Sequence, residues 1–170
     1  EHKPVDISSG IDPTVRFVGS HISIFKPYLK SKGVPSPGFF ILQNCIRTQN
    51  LRGLFDDNYK PRWGSFFPSL GTVSPPDRLN EIVREVLEFF VHHLKVSGEM
   101  IVARVNSLDR DLLDVCKNNF DASKIQVDTM PINYYRHKLG MVDISGRNFN
   151  IALRNCDNEE YSDIGNIIVL

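Results

Sequence analysis

The sequence has no long hydrophobic run and no net charge. Its apolar segments stay well short of the ~18 consecutive residues that a membrane-spanning helix requires, so we expect no membrane partner. Its 20 basic side chains are balanced by 20 acidic ones. Because binding to a phosphate backbone is driven by basic surface, this balance argues against a chain whose main task is to cover nucleic acid, and leaves local basic patches open.

Cysteine is scarce as well. The chain has three, Cys45, Cys116 and Cys156; the number is odd, and no two have the Cys-x-x-Cys spacing. The five histidines are not clustered, and the adjacent His92 and His93 would point to different sides of a helix. These patterns predict reduced, structural thiols in a cytoplasmic protein and no metal site.

Length and apolar periodicity predict the organisation of the chain. The 170 residues fit a single domain over 1–170, with residues 1–11 as a loosely ordered terminus. Residues 74–96 carry apolar side chains at the 3, 4 spacing of one helix face. Shorter patterns predict a helix over residues 108–118 capped by Ser107, another helix over 20–32, and strands over 14–18, 99–106, 120–130 and 164–170.

The stretch from Phe39 to Val73 predicts a hairpin with an arginine next to the loop on each strand. A strand over residues 39–47 ends on Arg47, a polar loop follows, and a second strand over residues 64–73 comes just after Arg62. An antiparallel pair would put both arginines near the loop, with Phe66 or Phe67 a few residues further along. Arginine can hold a phosphate through two parallel hydrogen bonds, and an aromatic ring can stack on a base, which contributes ~1–3 kcal/mol. Spacing alone leaves two interpretations open: a nucleoside triphosphate site, or two surface arginines beside a core Phe-Phe pair.

Two motifs resemble those of one enzyme family. Residues 45–50 and 55–74 resemble the second signature motif of class II aminoacyl-tRNA synthetases, most nearly that of the alanyl-tRNA synthetases, with Arg47 and Arg62–Phe66 at the motif positions. Upstream, Asp12–Phe17 and Phe25–Lys26 are similar to the DPTLLF…FK segment of that family. Together the matches cover roughly the first half of the chain, in the order and at the spacing of the family.

The chain also departs from the family. Pro68 stands where the alanine enzymes have the glutamate of Phe-Phe-Glu-Met-Leu-Gly. The third signature motif, a glycine-rich strand ending in an arginine, is not visible, and neither is the long helix that precedes the DPT segment. We therefore expect a fragment of a longer synthetase-like protein, or a reduced relative.

The resemblance implies a fold and a reaction. The fold would be α/β of the α+β type, a mainly antiparallel sheet flanked by helices, as in a class II synthetase catalytic domain. The reaction would be ATP-dependent formation of an aminoacyl-adenylate, with Arg47 on the α-phosphate and Arg62 near the γ-phosphate. The residues that the resemblance assigns to ATP are Arg47, Arg62, Phe66 on the adenine with Phe67 as the alternative, and Asp57 or its neighbour Asp56 from the loop.

A second, weaker resemblance concerns the amino-acid pocket. Residues 132–153 are similar to the family segment Asn-Phe-Trp-x-Met-Gly-x-x-Gly-x-x-Gly, with His137 in the place of the pocket tryptophan and Gly146 near the last glycine. Tyr135 would line the same pocket. A histidine would change the polarity and size of the pocket, so the amino acid, alanine or a similar small one, stays open. Two alternatives are a half-exposed His137 in a basic hairpin and a tight turn at residues 147–150.

The resemblance implies several partners. ATP would bring Mg²⁺, whose ligands the sequence does not assign. The acidic segment 155–163 could supply carboxylates, and the alternative is a solvated loop. The tRNA would be bound by parts outside this chain, and a homodimer is possible because class II cores commonly dimerise. Two other classes stay open: a paralogue that activates an amino acid for a different acceptor, and a non-catalytic binding module.

Overall fold

The computed structural model describes residues 1–48, 53, 55–56, 58, 64–141, 144–155 and 160–170. The chain divides into two compact units, residues 1–75 and residues 76–170, here called the first and the second unit. Helices and mostly antiparallel strands occur together, which confirms the mixed α/β class. The class II synthetase core stays a prediction.

The first unit pairs a hairpin with one helix. Its elements are α1 (Ile22–Ser31), β1 (Phe39–Ile46) and β2 (Phe66–Val73). β1 and β2 are antiparallel, with Phe39 opposite Val73 and Ile46 opposite Phe66. The predicted helix and both predicted strands are confirmed, each shorter by a few residues. The buried apolar side chains of this unit are Val18, Ile24, Phe25, Ile41 and Cys45.

The strand predicted over residues 14–18 is wrong. Asp12 accepts hydrogen bonds from the backbone nitrogen and the hydroxyl of Thr14, at 3.1 and 2.6 Å. Bonds of this kind give the backbone a turn as an alternative to a sheet ladder. The described residues of this segment accordingly form turns and bends.

The second unit is a five-stranded sheet with two helices. Its elements are α2 (Leu79–Glu88), α3 (Arg110–Asn119), β3 (Ile101–Val105), β4 (Ile125–Val127), β5 (Arg136–Lys138), β6 (Ser145–Arg154) and β7 (Tyr161–Val169). The long strand β6 pairs with β7 along one edge and with β3 and β5 along the other, always antiparallel. β3 and β4 are parallel.

The two faces of this sheet differ in chemistry. The apolar face carries the buried core of the unit, whose members are Val83, Ile101, Ala103, Val105, Leu112, Val115, Cys116, Phe149, Ile151 and Ile167. Fully burying a side chain such as Phe149 contributes roughly 1.5–3 kcal/mol. Because strand side chains alternate, Asn148 and Asn150 lie on the other face, where they are also buried.

Two helix predictions are corrected at their ends. The helix predicted over residues 74–96 opens with a 3₁₀ turn (Pro76–Arg78), continues as α2 and closes with a π-helical turn (Phe89–His93). Ser107 does not cap α3. Its backbone nitrogen donates to Asp128 Oδ1 at 2.8 Å, and α3 begins only at Arg110.

Candidate functional site

Arg47 extends the β1–β2 ladder by one residue. Its backbone nitrogen donates to the carbonyl of Ser65 at 2.8 Å, which continues the pairing of Ile46 with Phe66. Because strand side chains alternate, Arg47 lies on the same face as the buried Cys45. The backbone that carries the arginine is therefore fixed by the hairpin.

The guanidinium of Arg47 is held by two contacts. Its Nε donates to the carbonyl of Gly19 at 2.8 Å, and its Cζ lies 5.0 Å from the centre of the Phe67 ring. Among the described residues, the two terminal nitrogens have no hydrogen-bond partner, and the residue is exposed. Their N–H groups point side by side, which is the geometry that matches a phosphate or a carboxylate.

The two neighbouring phenylalanines take opposite faces of the hairpin. Phe67 shares the face of Arg47 and packs on the core of the first unit. Phe66 lies opposite Ile46 on the other face and is 58% exposed. The structure thus brings Arg47 together with Phe67, the alternative of the two rings, and not with Phe66.

Two predicted ATP residues, Arg62 and Asp57, lie outside the described residues. Asp56 is described. It is exposed, and its carboxylate accepts the backbone nitrogen of Asn58 at 2.9 Å. The part of the loop that the structure describes therefore neither supports nor opposes a role in nucleotide binding.

The DPT…FK residues form a buried ion pair beneath α1. Lys26 Nζ lies 2.6 Å from Asp12 Oδ2, and Asp12 is 1% exposed. Thr14 and Ser23 donate to the same carboxylate. Burial by itself raises the pKa of Asp12, but the hydrogen bonds from Lys26, Thr14 and Ser23 outweigh it and lower the pKa to about 2. The ion pair and the hydrogen bonds around Asp12 therefore stabilise the first unit, which carries Arg47.

Sequence reasoning missed a histidine beside Arg47. His21 Nδ1 lies 2.7 Å from Ser69 Oγ, and the ring lies 5.2 Å from that of Phe25. Burial, helped by the positive charge of Arg47, lowers the pKa of His21 to about 4, so the ring is neutral near pH 7. No local sequence signal connects two residues that are 48 positions apart.

In the second unit, the residues that we predicted to line the amino-acid pocket lie on or next to two neighbouring strands. His137 is opposite Gly146 across β5 and β6, and Tyr135 comes just before β5. Burial lowers the pKa of His137. A Cβ on Gly146 would lie 2.5 Å from a methyl of Ile168, so a side chain occupies the space over this glycine. The tight turn considered for residues 147–150 is wrong, because they lie inside β6.

The polar face of the second unit carries a hydrogen-bonded network. On β6, the amide of Asn148 donates to Asn150, whose own amide donates to Asp163 on β7 at 3.2 Å. Arg104 on β3 pairs in register with Asn150, and its Nη1 lies 3.6 Å from Asp163 Oδ1. Tyr134 donates its hydroxyl to Asp163 and stacks on Arg104 with 5.4 Å between Cζ and the ring centre.

Two buried polar atoms beside this network are unsatisfied. Tyr135 and Asn148 are both 0% exposed, and within the described part of the chain neither the tyrosine hydroxyl nor the Asn148 Oδ1 has a partner. Leaving a buried polar group unpaired costs about 1–3 kcal/mol. Because both atoms are closed off from solvent, only a group buried with them, such as a water molecule, could pair with them while the structure keeps this form. A signal for them was present in the sequence, where Asn148 and Asn150 alternate with Phe149 and Ile151.

The second unit also has a cavity of about 410 Å³, which is lined by other residues than the predicted site. Leu87, Val91, Ile101, Phe120 and Lys124 are among its lining residues, and none of the predicted site residues lines it. Its two lysines already have acidic partners: Lys124 contacts Glu99 and Lys117 contacts Asp114, each at 3.1 Å.

Within the described ranges, no group of three or more His, Cys, Asp or Glu side chains could hold a metal ion. Asp157 and Glu159 of the acidic segment lie outside those ranges, and Asp163 belongs to β7 and contacts Arg104 and Tyr134. Over the same ranges, no helix is both long enough and apolar enough to cross a membrane.

Comparison of the chain with models of known protein families and with curated proteins finds no match. The synthetase interpretation therefore depends on the motifs quoted above and on the geometry of Arg47.

Proposed function

We propose that this chain is part of an enzyme that activates an amino acid with ATP. The carboxylate of the amino acid attacks the α-phosphorus, the bond to pyrophosphate breaks, and an aminoacyl-adenylate forms. The observation that carries the proposal is the Arg47 guanidinium, held at Nε by Gly19 and on its face by Phe67, with both terminal nitrogens free of partners among the described residues.

The role of Arg47 follows from this geometry. Its two terminal nitrogens would grip oxygens of the α-phosphate and stabilise the charge that develops there during attack. Such transfers depend mainly on positioning and on charge neutralisation rather than on an acid–base side chain. Phe67 shares this face and packs on the guanidinium itself, whereas Phe66, the first candidate for stacking on adenine, is exposed on the other face of the hairpin. Arg62 and Asp57 keep their proposed roles at the γ-phosphate end and in the loop.

Recognition of the amino acid is proposed for the polar face of the second unit. Both residues are fully buried, so binding at these atoms requires the side chains that cover them to move. The oxygen of Asn148 can then accept a hydrogen bond from an ammonium group, and the hydroxyl of Tyr135 can donate one to a carboxylate. His137 and Gly146 keep their proposed place at the border of this pocket. The substrate is proposed to be alanine or a similar small amino acid.

The proposal also covers the metal ion, the acceptor, the compartment and the oligomeric state. Mg²⁺ accompanies ATP, and the acceptor is tRNA bound by parts outside this chain. The reaction takes place in the cytoplasm and within a homodimer. Pro68, in place of the family glutamate, favours a second candidate in which the acceptor is not tRNA.

ATP–pyrophosphate exchange with the full-length protein tests the reaction. We expect Arg47→Ala to lower exchange by about 100-fold, which is typical for loss of one charge-stabilising donor. Arg47→Lys should fail as well, because a lysine cannot form the bidentate contact. The matched control is Arg16→Ala, which removes another exposed arginine that lies over a phenylalanine, 5.7 Å from the Phe17 ring. Undiminished exchange in Arg47→Ala contradicts the proposal.

Binding to the chain itself separates the alternatives. Calorimetry with AMP and with a non-hydrolysable alanyl-adenylate analogue should show tighter binding of the analogue. Equal affinity for both would point to a different amino acid, and a chain that binds neither would be a binding module or would need further segments. Aminoacylation of tRNA by the full-length protein then distinguishes the tRNA ligase from the paralogue with another acceptor.

A further inference from the structure

The segment that precedes α1 is tied to the hairpin at several points. The carbonyl of Gly19 accepts the Nε of Arg47 at 2.8 Å, and the carbonyl of Val18 accepts the backbone nitrogen of Ile46 at 3.0 Å. Two residues after Gly19, His21 is joined to Ser69 on β2 by the 2.7 Å contact. The carbonyl that orients Arg47 therefore belongs to a segment that both strands hold.

The ring of His21 packs into a space on β2, here called the seat, which is formed by Ser69, Gly71 and Phe25. A Cβ on Gly71 would lie 2.1 Å from Cδ2 and 2.2 Å from Nε2 of the ring, so only glycine leaves room for the histidine there. Ser69 and Gly71 are alternate residues of one strand and share a face, which lets one ring contact both. Phe25 closes the other side of the seat. The position of His21 is thus fixed by packing as well as by its hydrogen bond.

We propose that His21 and Ser69 are positioning residues for Arg47: their hydrogen bond fixes the Gly19–His21 segment and, through the Gly19 carbonyl, the orientation of the guanidinium. This inference rests on the proposed function of Arg47 as the group that grips the α-phosphate. It goes beyond that function because neither His21 nor Ser69 needs to touch the nucleotide.

The physical reason lies in the freedom of an arginine side chain. A guanidinium held at Nε and on one face presents its two terminal nitrogens in one direction, whereas an untethered one samples many directions. Binding then has to fix the side chain first, and small misplacements of a positioning group can cost a large factor in rate. The neutral state of His21 adds to this, because a protonated ring would place a second positive charge beside Arg47.

The test is a double-mutant cycle on AMP affinity, measured by calorimetry with the whole chain. Ser69→Ala removes the hydroxyl, which also contacts the Cys45 thiol, and we expect about a tenfold loss of affinity. In an Arg47→Ala background the same change should cause almost no further loss, because Ser69 acts only through Arg47. Thr72→Ala is the matched control, since it removes a hydroxyl from the other face of β2, where Thr72 bonds to the carbonyl of Phe39.

A second pair of variants keeps the test independent of folding. His21→Asn leaves a nitrogen near the Nδ1 position and should retain most of the affinity, whereas His21→Phe fills the seat without the hydrogen bond and should lose as much as Ser69→Ala. Urea unfolding of each variant shows whether the fold is intact.

Each outcome decides between the two proposals. If Arg47→Ala leaves AMP affinity unchanged, the proposed function fails and the inference fails with it. If Arg47→Ala weakens binding while Ser69→Ala behaves like Thr72→Ala, the inference alone is overturned. Additive losses in the double mutant also overturn it, because they would indicate a merely structural serine.

Discussion

At the scale of single residues, His21 and Asp12 of the first unit have pKa values that their surroundings lower. His21 has its pKa lowered to about 4, by burial and by Arg47. Asp12 has its pKa lowered to about 2, because hydrogen bonds from Lys26, Thr14 and Ser23 outweigh its burial. Both shifts link stability to pH, but over different ranges.

The pH dependence of unfolding should therefore fall into two steps. Between pH 6.5 and 4 the unfolded chain protonates His21 while the folded chain does not, so the free energy of unfolding should fall by at most about 3 kcal/mol as pH decreases. Below pH 4 the stabilisation from ionised Asp12 is lost in turn, as pH falls towards 2. Urea unfolding of the chain at a series of pH values measures both steps.

Two variants show which residue causes each of the two pH-dependent steps. His21→Asn should remove the share of the decline above pH 4 that His21 causes and leave the share of His137, whose pKa burial also lowers. Asp12→Asn should lower stability at neutral pH and flatten the acid step. An unchanged slope above pH 4 in His21→Asn would contradict the assignment.

At the scale of elements, α3 is joined to the sheet by two arginine–aspartate pairs. Asp109, just before the helix, is 3% exposed and accepts both terminal nitrogens of Arg136 at 2.6 and 3.1 Å. Asp111, in the first turn, accepts both terminal nitrogens of Arg147 at 2.6 and 2.9 Å. Arg147 also reaches Asp109 Oδ1 at 3.5 Å, which links the two pairs. The bidentate contacts have similar geometry and differ mainly in the burial of the carboxylate.

This difference predicts unequal effects of equal substitutions. Asp109→Asn leaves a buried site with an arginine that has lost its counter-charge, and we expect a loss of roughly 2 kcal/mol in the free energy of unfolding. Asp111→Asn removes an exposed charge and should cost less than about 1 kcal/mol. Equal effects of the two variants in urea unfolding would show that burial of Asp109 is not what makes its pair strong.

Several elements were accessible to sequence reasoning because their signals are local. The bounds of β1 and β2 differ from the prediction by one or two residues, since apolar and turn-forming residues delimit them. The start of α3 was misplaced because Ser107 donates to Asp128, a residue 21 positions away. The network around Arg104 and Asp163 was missed because it forms only when β3, β6 and β7 lie side by side.

At the scale of the whole molecule, each unit has an apolar cluster made of its own residues. We therefore expect residues 76–170, produced alone, to unfold in one cooperative urea transition with well-dispersed amide NMR signals. A broad transition, or binding of a hydrophobic dye by the isolated segment, would show that this cluster is not sufficient.

The sequence by itself determined where the main helices and strands lie, and that an arginine follows the last residue of β1. These features depend on side-chain periodicity and turn residues, which act over a few positions. Only the tertiary structure decided that the carbonyl of Gly19 and the ring of Phe67 hold this arginine. It also decided that His21 and Ser69 meet, and that Asn148 and Tyr135 are buried with free polar atoms. The physical reason is that hydrogen bonds and burial depend on distance in space, which strand register sets across separations that no local pattern encodes.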